Sequence, residues 1–143
     1  MARNTFRGII PQHLLYDTEY DMWVRRDGEE VVIGATSFGI FLAGEIIAFT
    51  AKPSGAECAV GRGLGTVECA KTVLAVHAPL SFILKEGNAA LEERPAMLNT
   101  DPYELGWMVR GTATAWEQEC SRLVDAQAYQ RHVLRLEPAA EFL

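Results

Sequence analysis

The residues best suited to take part in chemistry are Lys71 and two side chains that closely precede it, Glu68 and Cys69. They lie in the sequence Val-Glu-Cys-Ala-Lys-Thr-Val at 67–73, which follows a glycine-rich run and precedes an apolar one. This order predicts a strand, a tight turn and a second strand, with Lys71 at the tip of the turn. A primary amine displayed there is suited to covalent modification and to service as a carrier. The alternative is an ordinary solvated lysine.

No catalytic constellation accompanies this lysine. His13, His77 and His132 are far apart in the sequence, and no serine or cysteine shares a nucleophile motif with them. The glycine-rich run at 61–65 lacks the Gly-Lys-Ser/Thr ending of a phosphate-binding loop. We interpret His77, which precedes Ala78 and Pro79, as structural. We expect the protein to have no catalytic activity of its own.

The cysteines are three in number and widely spaced: Cys58, Cys69 and Cys120. An odd set without a C-x-x-C motif favours neither a disulfide framework nor a zinc site, so no metal is expected. We interpret the three as free thiols that serve as small apolar residues. Cys69 has a functional alternative because it lies two residues from Lys71.

Length and charge limit the possible partners. The chain has 143 residues, 49% of them hydrophobic, and a formal net charge of −6, which suits one globular domain and argues against nucleic acid as a partner. No run approaches the ~20 apolar residues that cross a membrane, and the N-terminus lacks an apolar signal core. We therefore expect a cytoplasmic monomer without a membrane partner, built as an N-terminal arm at 1–15 and a single domain at 16–143.

The elements that must position the lysine turn are predominantly strands. Residues 21–33 contain an Asp27-Gly28 pair between two strand-like runs and predict a β-hairpin. Thr36 or Ser37 can cap a short helix that ends at Gly44, and a strand follows at 45–50. Short strands with regular glycine turns indicate a small β-sandwich or barrel, so the fold class is mainly β with short helices (α+β).

Three helix starts are predicted in the second half of the chain. Asn88 can cap a helix at 89–93, which Pro95 ends, and residues 114–117 fit a capping box that begins at Thr114. Asp125 can cap a C-terminal helix at 126–137. One face of that helix carries three apolar side chains: Tyr129, Val133 and Leu136. This face is predicted to pack on the β-core, with binding to a partner as the alternative.

The segment around Lys71 resembles the H protein of the glycine cleavage system, whose lipoyl lysine lies in a Val-Glu-Ser-Val-Lys-Ala turn. Similar motifs occur in the same order from about Tyr16 to the C-terminus. They are Trp23-Val24 and residues 33–36, 42–47, 88–95, 99–103 and 106–108. The resemblance implies a lipoyl-domain-like barrel-sandwich hybrid with a C-terminal helix, and lipoate bound covalently to Lys71. Glu68 would help a lipoate-attaching enzyme to recognise the turn, or would be a solvated turn carboxylate.

The chain departs from this family where the family holds the cationic amine of an aminomethyl-loaded arm with two carboxylates. Met22 aligns with the glutamate of a His-Glu-Trp-Val strand, and Ala75 aligns with an aspartate that follows the lipoyl lysine. Cys69 replaces a serine, and Phe-Ile at 82–83 replaces Gly-Glu. Burying an ammonium group without an opposite charge is costly, so Met22 and Ala75 favour a neutral, sulfur-bound cargo. Asp21 is expected to point to the opposite face unless a bulge redirects it.

This divergence resembles the lipoate-binding protein of the sulfur-oxidising, heterodisulfide reductase-like system. The resemblance implies an arm that carries sulfur intermediates in the cytoplasm. Its partners would be a heterodisulfide reductase-like complex, a lipoate–protein ligase and dihydrolipoamide dehydrogenase. Cys69 would form a transient disulfide with an arm sulfur, or simply replace the serine.

Two other functions are kept open. The first is a glycine cleavage H protein, which carries the aminomethyl group between the decarboxylase, the aminomethyltransferase and dihydrolipoamide dehydrogenase. The second is a lipoate store or scaffold without a transfer role.

Overall fold

The computed structural model describes residues 5–143, which form three β-sheets. The strands in chain order are β1 (Arg7–Gly8), β2 (Leu15–Asp17), β3 (Met22–Asp27), β4 (Glu30–Ala35), β5 (Ile46–Ala51), β6 (Glu57–Cys58), β7 (Gly63–Cys69), β8 (Thr72–His77), β9 (Phe82–Gly87), β10 (Val109–Ala113) and β11 (Glu141–Phe142). Six of them form an antiparallel sheet in the order β2-β3-β4-β10-β9-β6. A second antiparallel sheet has the order β5-β7-β8, which leaves β8 at its edge.

Five short α-helices connect or cover the strands of the described residues. They are α1 (Ser37–Ala43), α2 (Ala89–Glu93), α3 (Met97–Thr100), α4 (Trp116–Glu119) and α5 (Ala126–Leu136), and a 3-10 turn at Cys120–Arg122 follows α4. The predicted caps of α1, α2 and α5 are confirmed: the side chains of Thr36, Asn88 and Asp125 accept hydrogen bonds from the backbone N–H groups of Gly39, Leu91 and Ala128. Gly44 ends α1 with a φ of 88°, a conformation that favours glycine. No helix of residues 5–143 has the length and apolarity needed to cross a membrane.

Two buried clusters hold the sheets and helices together. The main cluster includes Met22 and Val24 from β3, Ile33 from β4 and Val67 from β7, and it lies between the two larger sheets. Trp23 faces the other way into an aromatic cluster, whose members include Phe6, Tyr16, Phe38 and Tyr129. In the first half of β3, residues 22–24, both faces are therefore buried, and neighbouring residues belong to different clusters.

The predicted N-terminal arm begins with residues that lie outside the described part of the chain. From residue 5 onward it packs on the body of the protein: Phe6 and Ile10 are buried, and β1 pairs in parallel with β11. The division into an arm at 1–15 and a domain at 16–143 remains a prediction.

Three local predictions need correction. The hairpin turn lies at Gly28 and Glu29, one residue later than predicted, and Gly28 has a φ of 63°. Thr114 does not cap a helix: α4 starts after Ala115 without a side-chain cap. The Thr114 backbone N–H, which a capping box would use, bonds to the Ser81 carbonyl. Leu136 is 57% exposed, so the packed face of α5 consists of Tyr129 and Val133 together with Ala126.

The close approach of β5 to β7 depends on Gly65. A Cβ atom there would collide with the carbonyl oxygen of Thr50, whereas a Cβ at Gly63 of the same strand would have its nearest neighbour at 4.0 Å. We expect Gly65→Ala to lower the free energy of unfolding by about 1–3 kcal/mol, because the added methyl forces β5 away from β7. Gly63→Ala should change it by less than about 0.5 kcal/mol. Urea denaturation of both variants checks this, and equal stability would contradict it.

Candidate functional site

Lys71 lies in the two-residue turn at 70–71 that joins β7 to β8, as the sequence predicts. The turn is closed by the pairing of Cys69 with Thr72. Lys71 is exposed and, within residues 5–143, forms neither a hydrogen bond nor an ion pair. The hairpin of β7 and β8 therefore presents a primary amine to solvent.

Glu68 and Cys69 point to opposite faces of β7. Glu68 is exposed and lies opposite Val73 of β8. Cys69 is 6% exposed, and its thiol donates a 3.5 Å hydrogen bond to the carbonyl of Thr72. Cys69 thus bonds across the base of the lysine turn, while Glu68 is accessible to solvent beside it. Recognition by a ligase through Glu68 and exchange with an arm sulfur through Cys69 remain predictions.

Two adjacent depressions lie on the side of the protein that carries the lysine turn. The outer one, here the lysine groove, has a volume of about 440 Å³. It is lined by Leu42, Ala43, Gly44, Glu45, Cys69, Ala70, Lys71, Thr72 and Leu74. The inner cleft has a volume of about 110 Å³. It is lined by Tyr20, Asp21, Met22, Ala35, Gly39, Ile40, Ala43, Ile46, Val67, Leu74, Ala75, Val76, His77 and Met108. Both are lined by Ala43 and Leu74, so the inner cleft adjoins the lysine groove.

Met22 and Ala75 lie in the wall of the same inner cleft. Met22 is 3% exposed and starts β3, whereas Ala75 lies on the exposed part of β8. The structure thus brings together the two positions at which the sequence departs from the family pattern. Both contribute apolar surface, and Asp21 is the one carboxylate residue among those that line the cleft within residues 5–143.

Asp21 is held by α5. It precedes β3 and has a φ of 57°, so strand alternation does not set its direction. Its Oδ1 accepts a 2.7 Å hydrogen bond from the Tyr129 hydroxyl, which in turn lies 2.8 Å from Thr36 Oγ1. The predicted reason for its direction, alternation within a strand, is therefore wrong. Oδ1 is committed to anchoring α5 against the cleft.

Burial raises the pKa of the Asp21 carboxyl above its ordinary value, and the hydrogen bond from Tyr129 offsets part of this effect. A carboxyl with a raised pKa in the folded state contributes stability below its unfolded pKa. That contribution is lost as the pH rises through the folded pKa. The charged form of Asp21 is thus disfavoured at this position.

Exposed apolar side chains cluster near the lysine turn. Leu42 and Leu74 line the lysine groove, Val73 follows the turn, and Ile47 lies on β5 beside the end of β7. These four side chains are between 42% and 60% exposed. Exposed apolar side chains concentrated near one turn are typical of a region that meets other proteins.

Comparison with known proteins agrees with this geometry. The family profile of the glycine cleavage H-protein matches residues 14–135. The chain belongs to the glycine cleavage H-protein family. It is 35% identical over 125 residues to the glycine cleavage system H protein of Mycobacterium avium, covering 85% of this chain and 94% of that protein. It is 37% identical over 122 residues to the H protein of Synechococcus elongatus, covering 85% and 93% of the two chains.

A solved structure of the family has the same fold. The crystal structure of a glycine cleavage system H protein from Mycobacterium marinum superposes with a TM-score of 0.76 at 28% identity, covering 87% of this chain and 98% of that chain. The predicted fold class, a mainly β barrel-sandwich hybrid with short helices, is confirmed. H proteins carry lipoate on a lysine and are carriers rather than catalysts, working with partner enzymes that include dihydrolipoamide dehydrogenase.

Sequence reasoning missed several side chains of the inner cleft. Tyr20 stacks on His77 with ring centroids 4.5 Å apart, and Ile40 and Ala43 of α1 form the facing wall. The sequence alone favours a structural role for His77, which precedes Ala78 and Pro79. Its position on β8, two residues after Ala75, was the signal that could have placed it at the cleft.

Proposed function

We propose that this protein is a carrier whose lipoyl arm is attached to Lys71. The observation that supports the attachment site is the exposed amine at the tip of the turn between β7 and β8, beside the lysine groove. Lys52 and Lys85 do not line the groove, and Lys85 pairs with Glu30. The accessible Glu68 is proposed to aid recognition by a lipoate–protein ligase.

The residues around Lys71 fit a long apolar arm. When bound, lipoate supplies a dithiolane at the end of a flexible tether, which can carry a cargo and can be reduced or oxidised. The lysine groove offers the apolar side chains of Leu42, Ala43 and Leu74 along its length. The exposed side chains of Leu42, Ile47, Val73 and Leu74 near the turn are proposed to contact partner enzymes that dock to reach Lys71.

The names of the relatives favour one cargo. The proteins from Mycobacterium avium and Synechococcus elongatus are both glycine cleavage system H proteins. If this chain acts as those relatives are named, it would bring an aminomethyl group from a decarboxylase to an aminomethyltransferase, and dihydrolipoamide dehydrogenase would reoxidise the arm. This is the function that the comparisons support best.

The inner cleft favours a second cargo. The aminomethyl group is cationic, and Met22 and Ala75 provide no charge to balance it. Burial raises the pKa of the Asp21 carboxyl, which disfavours its charged form. An unbalanced ammonium in a partly buried site is costly. The chemistry of the cleft leads us to propose a sulfur-bound cargo, exchanged in the cytoplasm with a heterodisulfide reductase-like complex.

One assay separates the two cargoes. Lipoylated protein is offered the aminomethyl group by glycine decarboxylase, with an authentic H protein as the reference. We expect loading at least about tenfold slower than the reference, which corresponds to ~1.4 kcal/mol of lost stabilisation. Equal loading would overturn the sulfur proposal and establish the aminomethyl carrier. An arm that no partner reduces or loads would indicate a lipoate store.

A further inference from the structure

His77 is a basic side chain of the inner cleft whose orientation is fixed on two sides. It ends β8 and is half-buried. Its Nδ1 lies 2.9 Å from the carbonyl oxygen of Gly61, and its ring stacks on Tyr20 at 4.5 Å with an interplanar angle of 18°. The loop that supplies the carbonyl is itself tied to the strand end, because Gly61 N–H donates to the Ala78 carbonyl at 2.8 Å. The imidazole is therefore held in one orientation before any ligand arrives.

The hydrogen bond to Gly61 determines the tautomer. A carbonyl oxygen can only accept a hydrogen bond, so Nδ1 must carry the proton. In the neutral ring, Nε2 is then an acceptor with a free lone pair. Within residues 5–143, Nε2 of His77 has no hydrogen-bond partner. The protein thus orients an unused acceptor on a residue of the cleft wall.

The other polar side chains that line this cleft differ from His77 in their contacts. Among the described lining residues they are Asp21 and Tyr20. Asp21 Oδ1 is bound to Tyr129, and Tyr20 lies against the face of the His77 ring. The remaining wall consists of glycine and apolar side chains, including Met22 and Ala75. Among the described residues that line the cleft, His77 is the one with a ring nitrogen, and its Nε2 is without a partner.

We propose that His77 binds the sulfur-bearing end of the lipoyl arm. Its Nε2 accepts a hydrogen bond from the terminal S–H group of the reduced arm. This inference rests on the proposed lipoylation of Lys71. A single neutral acceptor suits a thiol, which offers one weak donor and no charge. It carries no negative charge to balance a cationic amine, and Met22 and Ala75 add none. His77 would thereby hold the sulfur end inside the cleft until a partner removes it.

The direct test is nuclear magnetic resonance of the imidazole nitrogens. Intact mass first establishes lipoylation, and spectra are then recorded for unmodified protein, oxidised lipoyl protein and reduced lipoyl protein at one pH. We expect the Nε2 resonance of His77 to move on reduction of the lipoyl protein, and to stay unchanged when unmodified protein receives the same reductant. The exposed His13 is the internal control and should not move in any sample. A purely structural His77 would show no dependence on the arm.

A variant tests the consequence for the arm. His77→Phe keeps a ring for Tyr20 to stack on and removes both nitrogens. We expect iodoacetamide to alkylate the reduced arm about fivefold faster in this variant than in wild type, as the loss of one hydrogen bond predicts. His13→Gln should react at the wild-type rate. Thermal unfolding is measured for both variants to establish that the fold persists.

The outcomes separate the two proposals. Absence of a lipoyl mass increment at Lys71 would overturn the proposed attachment site, and the role of His77 with it. A lipoylated protein in which the His77 Nε2 resonance is the same with and without the reduced arm would overturn the His77 proposal alone. A resonance that moves only with an aminomethyl-loaded arm would assign His77 to the other cargo and equally overturn it.

Discussion

Lys71→Arg is expected to abolish lipoylation completely while leaving the fold unchanged. A ligase forms an amide with the lysine amine, and a guanidinium does not replace that nucleophile. The substitution retains the positive charge and the exposure of the side chain, and Lys71 has no partner among residues 5–143 to lose. A substitution at such a surface position changes stability by less than about 0.5 kcal/mol. Intact mass after coexpression with a lipoate–protein ligase measures the modification.

The matched control is Lys52→Arg. Lys52 is also exposed but lies outside the lysine groove. The control should be lipoylated to the wild-type extent, and its melting temperature should equal that of Lys71→Arg. Normal lipoylation of Lys71→Arg would refute the attachment site. A large loss of stability in Lys71→Arg would mean that the lysine supports the turn as well as presenting an amine.

The double substitution Met22→Glu and Ala75→Asp is expected to raise loading with the aminomethyl group by at least about tenfold. Two unit charges 4 Å apart attract each other by about 4 kcal/mol at an effective dielectric constant of about 20. Desolvation cancels much of this, but ~1.4 kcal/mol of remaining stabilisation is enough for a factor of ten. Met22 and Ala75 face the same inner cleft, so both carboxylates would be placed where the cargo is proposed to lie. Loading by glycine decarboxylase is the measurement.

The uncharged pair Met22→Gln and Ala75→Asn is the control for shape and polarity. Met22 is 3% exposed, so a polar side chain there is expected to destabilise both double variants, whereas Ala75 lies on an exposed strand segment. The control should load no faster than wild type. Equal gains in the charged and uncharged variants would show that access to the cleft, rather than charge, limits loading. No gain in either would show that Met22 and Ala75 do not determine the cargo.

The sequence alone determined the features that depend on neighbours within a few residues. The lysine turn follows from a strand on each side of residues 70–71, and the caps at Thr36, Asn88 and Asp125 each bond to an N–H three residues away. Such interactions form wherever the right residue types occur at the right spacing. A local pattern ignores distant partners, and for this reason the capping box predicted at Thr114 is wrong. The Thr114 N–H bonds instead to Ser81, which is far away in the sequence.

The family motifs predicted the fold, which local patterns could not. They also showed that two carboxylates of the family pattern are missing from this chain. Alignment with the H-protein pattern identified Met22 and Ala75 as departures, although they are far apart in the chain. It could not say that both line one cleft with His77, since that depends on how β3 and α1 pack against the edge of β8.

Only the tertiary structure decided the environment of the cleft. Tyr129 reaches Asp21 across 108 residues of sequence, and the positive φ of Asp21 releases it from the alternation of β3. The tautomer of His77 depends on a carbonyl 16 residues away, in a loop whose position follows from its bonds to the end of β8. Local patterns set turns and caps because their partners are fixed by chain geometry. The cleft is set by the packing of separate elements, whose partners no local pattern specifies.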